Sequence, residues 1–167
     1  MAWARFVRHM SLPRGGDMFH FSNFFSILPT QIAAVAMLAI CGLALLVGRR
    51  LERLLALATI AAWFLSAAVQ IPDRATVQWG IFAVDVVYLI VLIGFSMFER
   101  RVWILFMTAF QLLVVLTHIA FIIDLTLMQW SFFSTYYLWS DAELAAFAVG
   151  VAQTGWERWR RRPTPPP

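Results

Sequence analysis

Residues 77–123 read VQWGIFAVDVVYLIVLIGFSMFERRVWILFMTAFQLLVVLTHIAFII, two long apolar runs separated only by the charged triplet Glu99-Arg100-Arg101. At a helical rise of about 1.5 Å per residue, a run of about 20 residues covers a hydrocarbon core of about 30 Å. Each run is that long, and the charges fall where the chain would leave the membrane. The reading is a helical hairpin that crosses the membrane twice.

Working outward from this hairpin, three further runs approach the same length. They are residues 31–48 (QIAAVAMLAICGLALLVG), 54–71 (LLALATIAAWFLSAAVQI) and 130–152, beside the hairpin helices at 77–98 and 102–123. The basic stretch GRRLER separates the first two. Residues 130–152 are the least uniform, because Ser140, Asp141 and Glu143 fall near their middle. The expected fold is therefore all-α, a polytopic membrane protein with a bundle of five transmembrane helices. Composition agrees. Of 167 residues, 62% are hydrophobic and 13% charged, against roughly 45–50% and about 25% in soluble domains. That balance excludes a disordered chain and weighs against an ordinary soluble domain. The single cysteine, Cys41, excludes an intramolecular disulfide and a cysteine metal cluster.

All 13 basic residues are arginines, so the positive-inside rule reduces to counting arginines in alternate connections. Arg49, Arg50, Arg53, Arg100, Arg101, Arg158, Arg160, Arg161 and Arg162 fall on one side, and Arg5, Arg8, Arg14 and Arg74 on the other. The expected orientation is N-terminus out and C-terminus in. Trp79 and Trp130 then sit at the outer boundary, and Trp103, Trp156 and Trp159 at the inner one, where amphipathic rings settle. No proline falls inside a run, so the broken helices of many secondary transporters are not indicated.

The segment 1–30 has no apolar core or cleavage site after its basic start, so it does not read as a secretory signal. Arg14-Gly15-Gly16-Asp17 ahead of Met18 would be encoded by a purine-rich tract resembling a ribosome-binding site, and translation is expected to start at Met18. The remaining residues before 31 form an outer, interfacial segment. Residues 153–167 form a basic, proline-rich cytoplasmic tail, in which Arg158, Arg160, Arg161 and Arg162 are expected to contact lipid headgroups. The basic excess is already used in setting topology, so no nucleic-acid partner is expected.

Polar residues within the runs form stripes when placed at 100° per residue. Thr59, Trp63, Ser66 and Gln70 share one face; Gln78, Asp85, Tyr88 and Ser96 share another; Gln111 lies over His118, with Thr108 nearby; Tyr136, Ser140 and Glu143 align with Gly150. Polar stripes in lipid face the bundle and bond across helices, each contact contributing about 0.6–2 kcal/mol. The ionisable members carry more information, since an unpartnered charge at the membrane centre costs about 2.5 kcal/mol or more. Asp85 and His118 both lie roughly 9–12 Å below the outer boundary on antiparallel neighbours, within reach of each other. Gln70, Tyr88, Gln111 and Tyr136 complete an expected intramembrane polar cluster. Such a pair can relay a proton, hold a cation or bind a ligand, because imidazole titrates near physiological pH. Asp141 and Glu143 are two residues apart and point about 160° from each other, so they cannot both face one neighbour. A protein partner or a second copy in the membrane is expected to meet them.

The motifs of nucleotide, zinc-protease, hydrolase and disulfide chemistry (the Gly-rich phosphate loop, HExxH, GxSxG, CxxC) do not occur in the sequence. Haem would want two axial ligands, and only His118 lies within a run. No metal, cofactor or catalytic residue is expected. The expectation is a non-enzymatic accessory or assembly subunit in the inner membrane of a Gram-negative-like bacterium. The alternative is a small proton- or cation-linked transporter or binding protein using Asp85 and His118.

Overall fold

The computed structural model describes residues 28–71, 77–124 and 129–160. The expected Met18 start, most of the outer segment, the Pro72-Asp73-Arg74 turn, the Trp130 side chain, Arg161 and Arg162 lie outside the described residues. The described chain is all-helical, with five helices and no strand. They are α1 (Leu28–Val47), α2 (Arg50–Val69), α3 (Trp79–Phe98), α4 (Val102–Ile123) and α5 (Gln129–Arg160).

Tight connections make consecutive helices antiparallel neighbours. Gly48 and Arg49 join α1 to α2, and Glu99, Arg100 and Arg101 join α3 to α4. Each helix packs on the next, and α5 packs on α1. This contact order closes the five helices into a ring. The closing pair is parallel: Arg49, just past the end of α1, meets Glu157 in the last turns of α5 with N–O 2.9 Å. Arg158 also donates to the Gly48 carbonyl at 3.4 Å, where a cation complements the carbonyl end of α1.

The inward faces follow helical spacing. Ala34, Met37, Cys41 and Ala44 bury one stripe of α1, and Ile104, Met107, Gln111, Val114, His118 and Phe121 one stripe of α4. The outward faces remain apolar: Leu46, Met97, Phe98 and Ile123 are each more than three quarters exposed. An exposed apolar face on every side fits a chain solvated by lipid tails. Three helices, α2, α3 and α4, are long and apolar enough to cross a membrane. The described apolar part of α1, Gln31–Val47, is shorter.

Helices α2 and α5 extend furthest past their apolar runs. Helix α2 begins at Arg50 rather than residue 54, because Glu52 accepts from the Arg49 amide at 2.9 Å and so satisfies a donor at the helix start. Helix α5 continues to Arg160, beyond residue 152, since Thr154 is buried against α2 and α4. It also runs unbroken through Ser140-x-x-Glu143, where the Ser140 hydroxyl bonds back to the Tyr136 carbonyl at 3.0 Å.

Trp103 departs from the boundary position expected of it. It is 4% exposed and sits in the core against Phe147, with ring centroids 6.0 Å apart. Trp79, Trp156 and Trp159 do lie on the surface.

Candidate functional site

The ring encloses a cavity of about 120 Å³ to which all five helices contribute. It lies toward the end of the bundle where α1, α3 and α5 begin and α2 and α4 finish, and reaches to the middle of the helices. Its wall takes Ala33 and Met37 from α1, and Thr59, Trp63, Ser66 and Gln70 from α2. Helix α3 adds Gln78, Asp85 and Tyr88, and α4 adds Met107, Gln111 and His118. Helix α5 supplies Phe132, Tyr136, Ser140, Asp141, Glu143 and Phe147. The stripes in the sequence meet here because each polar face turns away from the apolar exterior.

The structure brings Asp85 and His118 together. His118 Nε2 lies 3.0 Å from Asp85 Oδ2, and both side chains are buried. Gln111 Nε2 donates to the Asp85 backbone carbonyl at 3.0 Å and to Oδ1 at 3.3 Å. The carboxylate is therefore held from two turns of α4, seven residues apart. Rings confine the imidazole: Tyr136 and Phe132 meet it edge-on with centroids at 5.4 and 5.3 Å, and Phe82 is tilted at 5.7 Å. The Tyr136 hydroxyl faces the Asp85 carboxylate. A pair so enclosed cannot reorient freely. A change in its protonation must instead alter bonding within the wall.

The other members of the expected cluster separate in position. Tyr88 is buried and shares a 2.8 Å hydrogen bond with Thr59 on α2. Gln70 lines the cavity nearer its outer end, where Gln78 clamps the Ile71 backbone, accepting at 2.9 Å and donating at 3.2 Å. Ser96 stays outside the cavity and bonds to the Ile93 carbonyl. Thr117 donates to the Leu113 carbonyl on its own helix. The two acids of α5 part as their spacing requires. Glu143 is 7% exposed and faces the cavity, whereas Asp141 is exposed at its rim.

The opposite end of the bundle holds a network that sequence reasoning missed. The Glu52 side chain is fully buried and accepts from Arg101 at 2.9 Å, from Thr154 at 2.7 Å and from the Arg49 amide. One carboxylate thus joins the α1–α2 turn to the starts of α2 and α4 and the end of α5. Between this network and the cavity lie Leu55, Leu92, Ile104 and Phe147, all fully buried. The signal was present as a single acid among the arginines of GRRLER. Positive-inside counting treats that stretch as a solvated boundary and so passes over it. Of the tail arginines, Arg160 stacks over the Trp156 ring at 5.2 Å.

Among the described residues no three His, Cys, Asp or Glu side chains converge as metal ligands. Compared with known protein families, curated proteins and solved structures, the chain matches none of them.

Proposed function

We propose that the chain is a small membrane protein of five spans, N-terminus out and C-terminus in, that binds a proton or small cation through Asp85 and His118. The observation that carries this reading is the cavity itself. Five helices converge on a space whose wall holds an Asp–His pair 3.0 Å apart and a second buried acid, Glu143. Structural hydrogen bonding between helices needs no cavity, and ionisable groups within spans mark ion or ligand paths by default. The arginine distribution supports the orientation and a bacterial inner membrane as its place. On this reading the role is binding or proton-linked passage.

The reading is tested in liposomes by pH-dependent cation flux and binding. Asp85→Asn keeps the shape but cannot accept or release a proton, and His118→Ala removes the partner. Each is expected to lower the pH-dependent signal by about tenfold or more, the scale of losing one buried charged partner. Unchanged signals in both variants would remove this function.

A second reading, an accessory subunit in a larger membrane complex, is favoured by Asp141. It is exposed on α5 about 18 Å along the helix from its start, a depth at which a charge needs a protein neighbour. On that reading Asp141→Leu reduces the size of the complex on a native gel of mild-detergent extracts. An unchanged size counts against it.

A further inference from the structure

The cavity contains two buried acids and one basic side chain, and the basic side chain is already engaged. His118 pairs with Asp85, to which Gln111 also donates. Glu143 lines the same space, 7% exposed, and among the described residues no arginine or histidine lies within ion-pair distance of it.

The donor facing Glu143 is the Tyr88 hydroxyl. That hydroxyl is contested. Thr59 Oγ1 lies 2.8 Å from it, a bond in which either hydroxyl can donate, and the Thr59 hydroxyl also reaches the Leu55 carbonyl at 2.9 Å. Whenever Thr59 donates to Leu55, Tyr88 has one proton for two acceptors, Thr59 Oγ1 and the Glu143 carboxylate. When it serves Thr59, the buried carboxylate has neither a counter-charge nor a hydrogen-bonded donor among the described residues. A ligand that brings both corrects the deficit.

The remainder of the wall indicates what else the ligand carries. Trp63, Tyr136 and Phe147 line the same cavity as the acid, and ring faces attract cations, most strongly where water is excluded. The volume of about 120 Å³ is near that of an engineered cavity of about 150 Å³ that takes up benzene. A hard metal ion calls for about six or more oxygen ligands gathered about one point, and among the described residues no three His, Cys, Asp or Glu side chains converge in that way. We propose that the cavity binds an organic ammonium of about benzene's size, with its N–H groups on Glu143 and its hydrocarbon body among Trp63, Tyr136 and Phe147. The proposal rests on the reading of this cavity as a cation site and assigns the counter-ion to Glu143, apart from the Asp85–His118 pair.

The test uses the full chain in lipid nanodiscs and isothermal titration calorimetry, with empty nanodiscs subtracted. The probes are benzylammonium and benzyl alcohol, alike in shape and differing in charge. Wild type is expected to bind benzylammonium about tenfold more tightly than benzyl alcohol. Glu143→Gln is expected to lose about tenfold in benzylammonium affinity while retaining that for benzyl alcohol. Glu99→Gln, at the far end of the bundle, serves as the control. Equal binding of the two probes by wild type overturns the proposal, and so does undiminished benzylammonium binding by Glu143→Gln. If Glu143→Gln fails to fold, the wild-type comparison still decides, and Glu143→Asp, which keeps the charge, must retain the preference for the ammonium. Loss of pH-dependent signal in Asp85→Asn with no ammonium preference in wild type would leave the proton function standing and refute this ligand alone.

Discussion

Glu52→Ala is expected to destabilise the bundle by about 3 kcal/mol, the lower end of the cost of removing one member of a buried charge pair. The lower end applies because Arg101 is 28% exposed and recovers some solvation when its partner is gone, whereas Glu52 is fully buried. The substitution also strips the acceptor from Thr154 and from the Arg49 amide at the start of α2. Four segments of chain lose their common anchor in one step. The measurement is the unfolding midpoint in mixed micelles titrated with sodium dodecyl sulfate, followed by circular dichroism. Glu157→Ala is the internal comparison. Its ion pair with Arg49 has the same 2.9 Å length, but both side chains are at least two fifths exposed, so its loss is expected to cost under about 1 kcal/mol. Similar effects from the two variants would mean that burial does not set the strength of the Glu52 network.

The fold and the cavity wall were more legible than the arginine end, and the reason is the solvent. Lipid offers no hydrogen bonds, so Thr59, Trp63, Ser66 and Gln70 on α2 or Gln111 and His118 on α4 can turn only inward, and angular position alone predicts where they go. Asp85 and His118 could be brought within reach because a three-residue turn leaves their helices little choice of neighbour. At the membrane boundary this constraint relaxes. Glu52 and Arg101 can be satisfied there by water, headgroups or each other, and periodicity does not distinguish these outcomes. Trp103 was misplaced for the same reason, since an indole near a boundary suits either the headgroup layer or a core. Glu143 is an intermediate case. The two-residue spacing established that it and Asp141 face apart, but which of them turns inward depends on how α5 is rotated against α4 and α1. That rotation is set in part by Gly150, whose missing side chain admits Trp103.

Gly150→Val is accordingly expected to disturb the packing of α5 on α4 by about 2–3 kcal/mol, within the range for overfilling a packed core. A Cβ built at Gly150 overlaps three atoms of the Trp103 indole, well inside van der Waals contact, so the ring or the helix must shift. The ring has little freedom to yield: it is 4% exposed, lies beside Phe147, and is placed by packing alone, since its Nε1 has no hydrogen-bond partner among the described residues. Glycine in a helix costs about 1 kcal/mol relative to alanine, so Gly150→Ala recovers some propensity against its clash and should be the milder change. Valine recovers less and adds two methyl groups against the ring. A double-mutant cycle isolates the mechanism. Trp103→Leu alone leaves a void and should cost about 2–4 kcal/mol, but it also makes room for a side chain at position 150. Combined with Gly150→Val, it should therefore cost less than the sum of the single changes by more than about 0.5 kcal/mol, the usual limit of additivity. The midpoint in the same mixed-micelle titration reads all three variants. Strict additivity would mean that Gly150 is required for some reason other than the seat of Trp103, and the rotation of α5 that turns Glu143 into the cavity would need another cause.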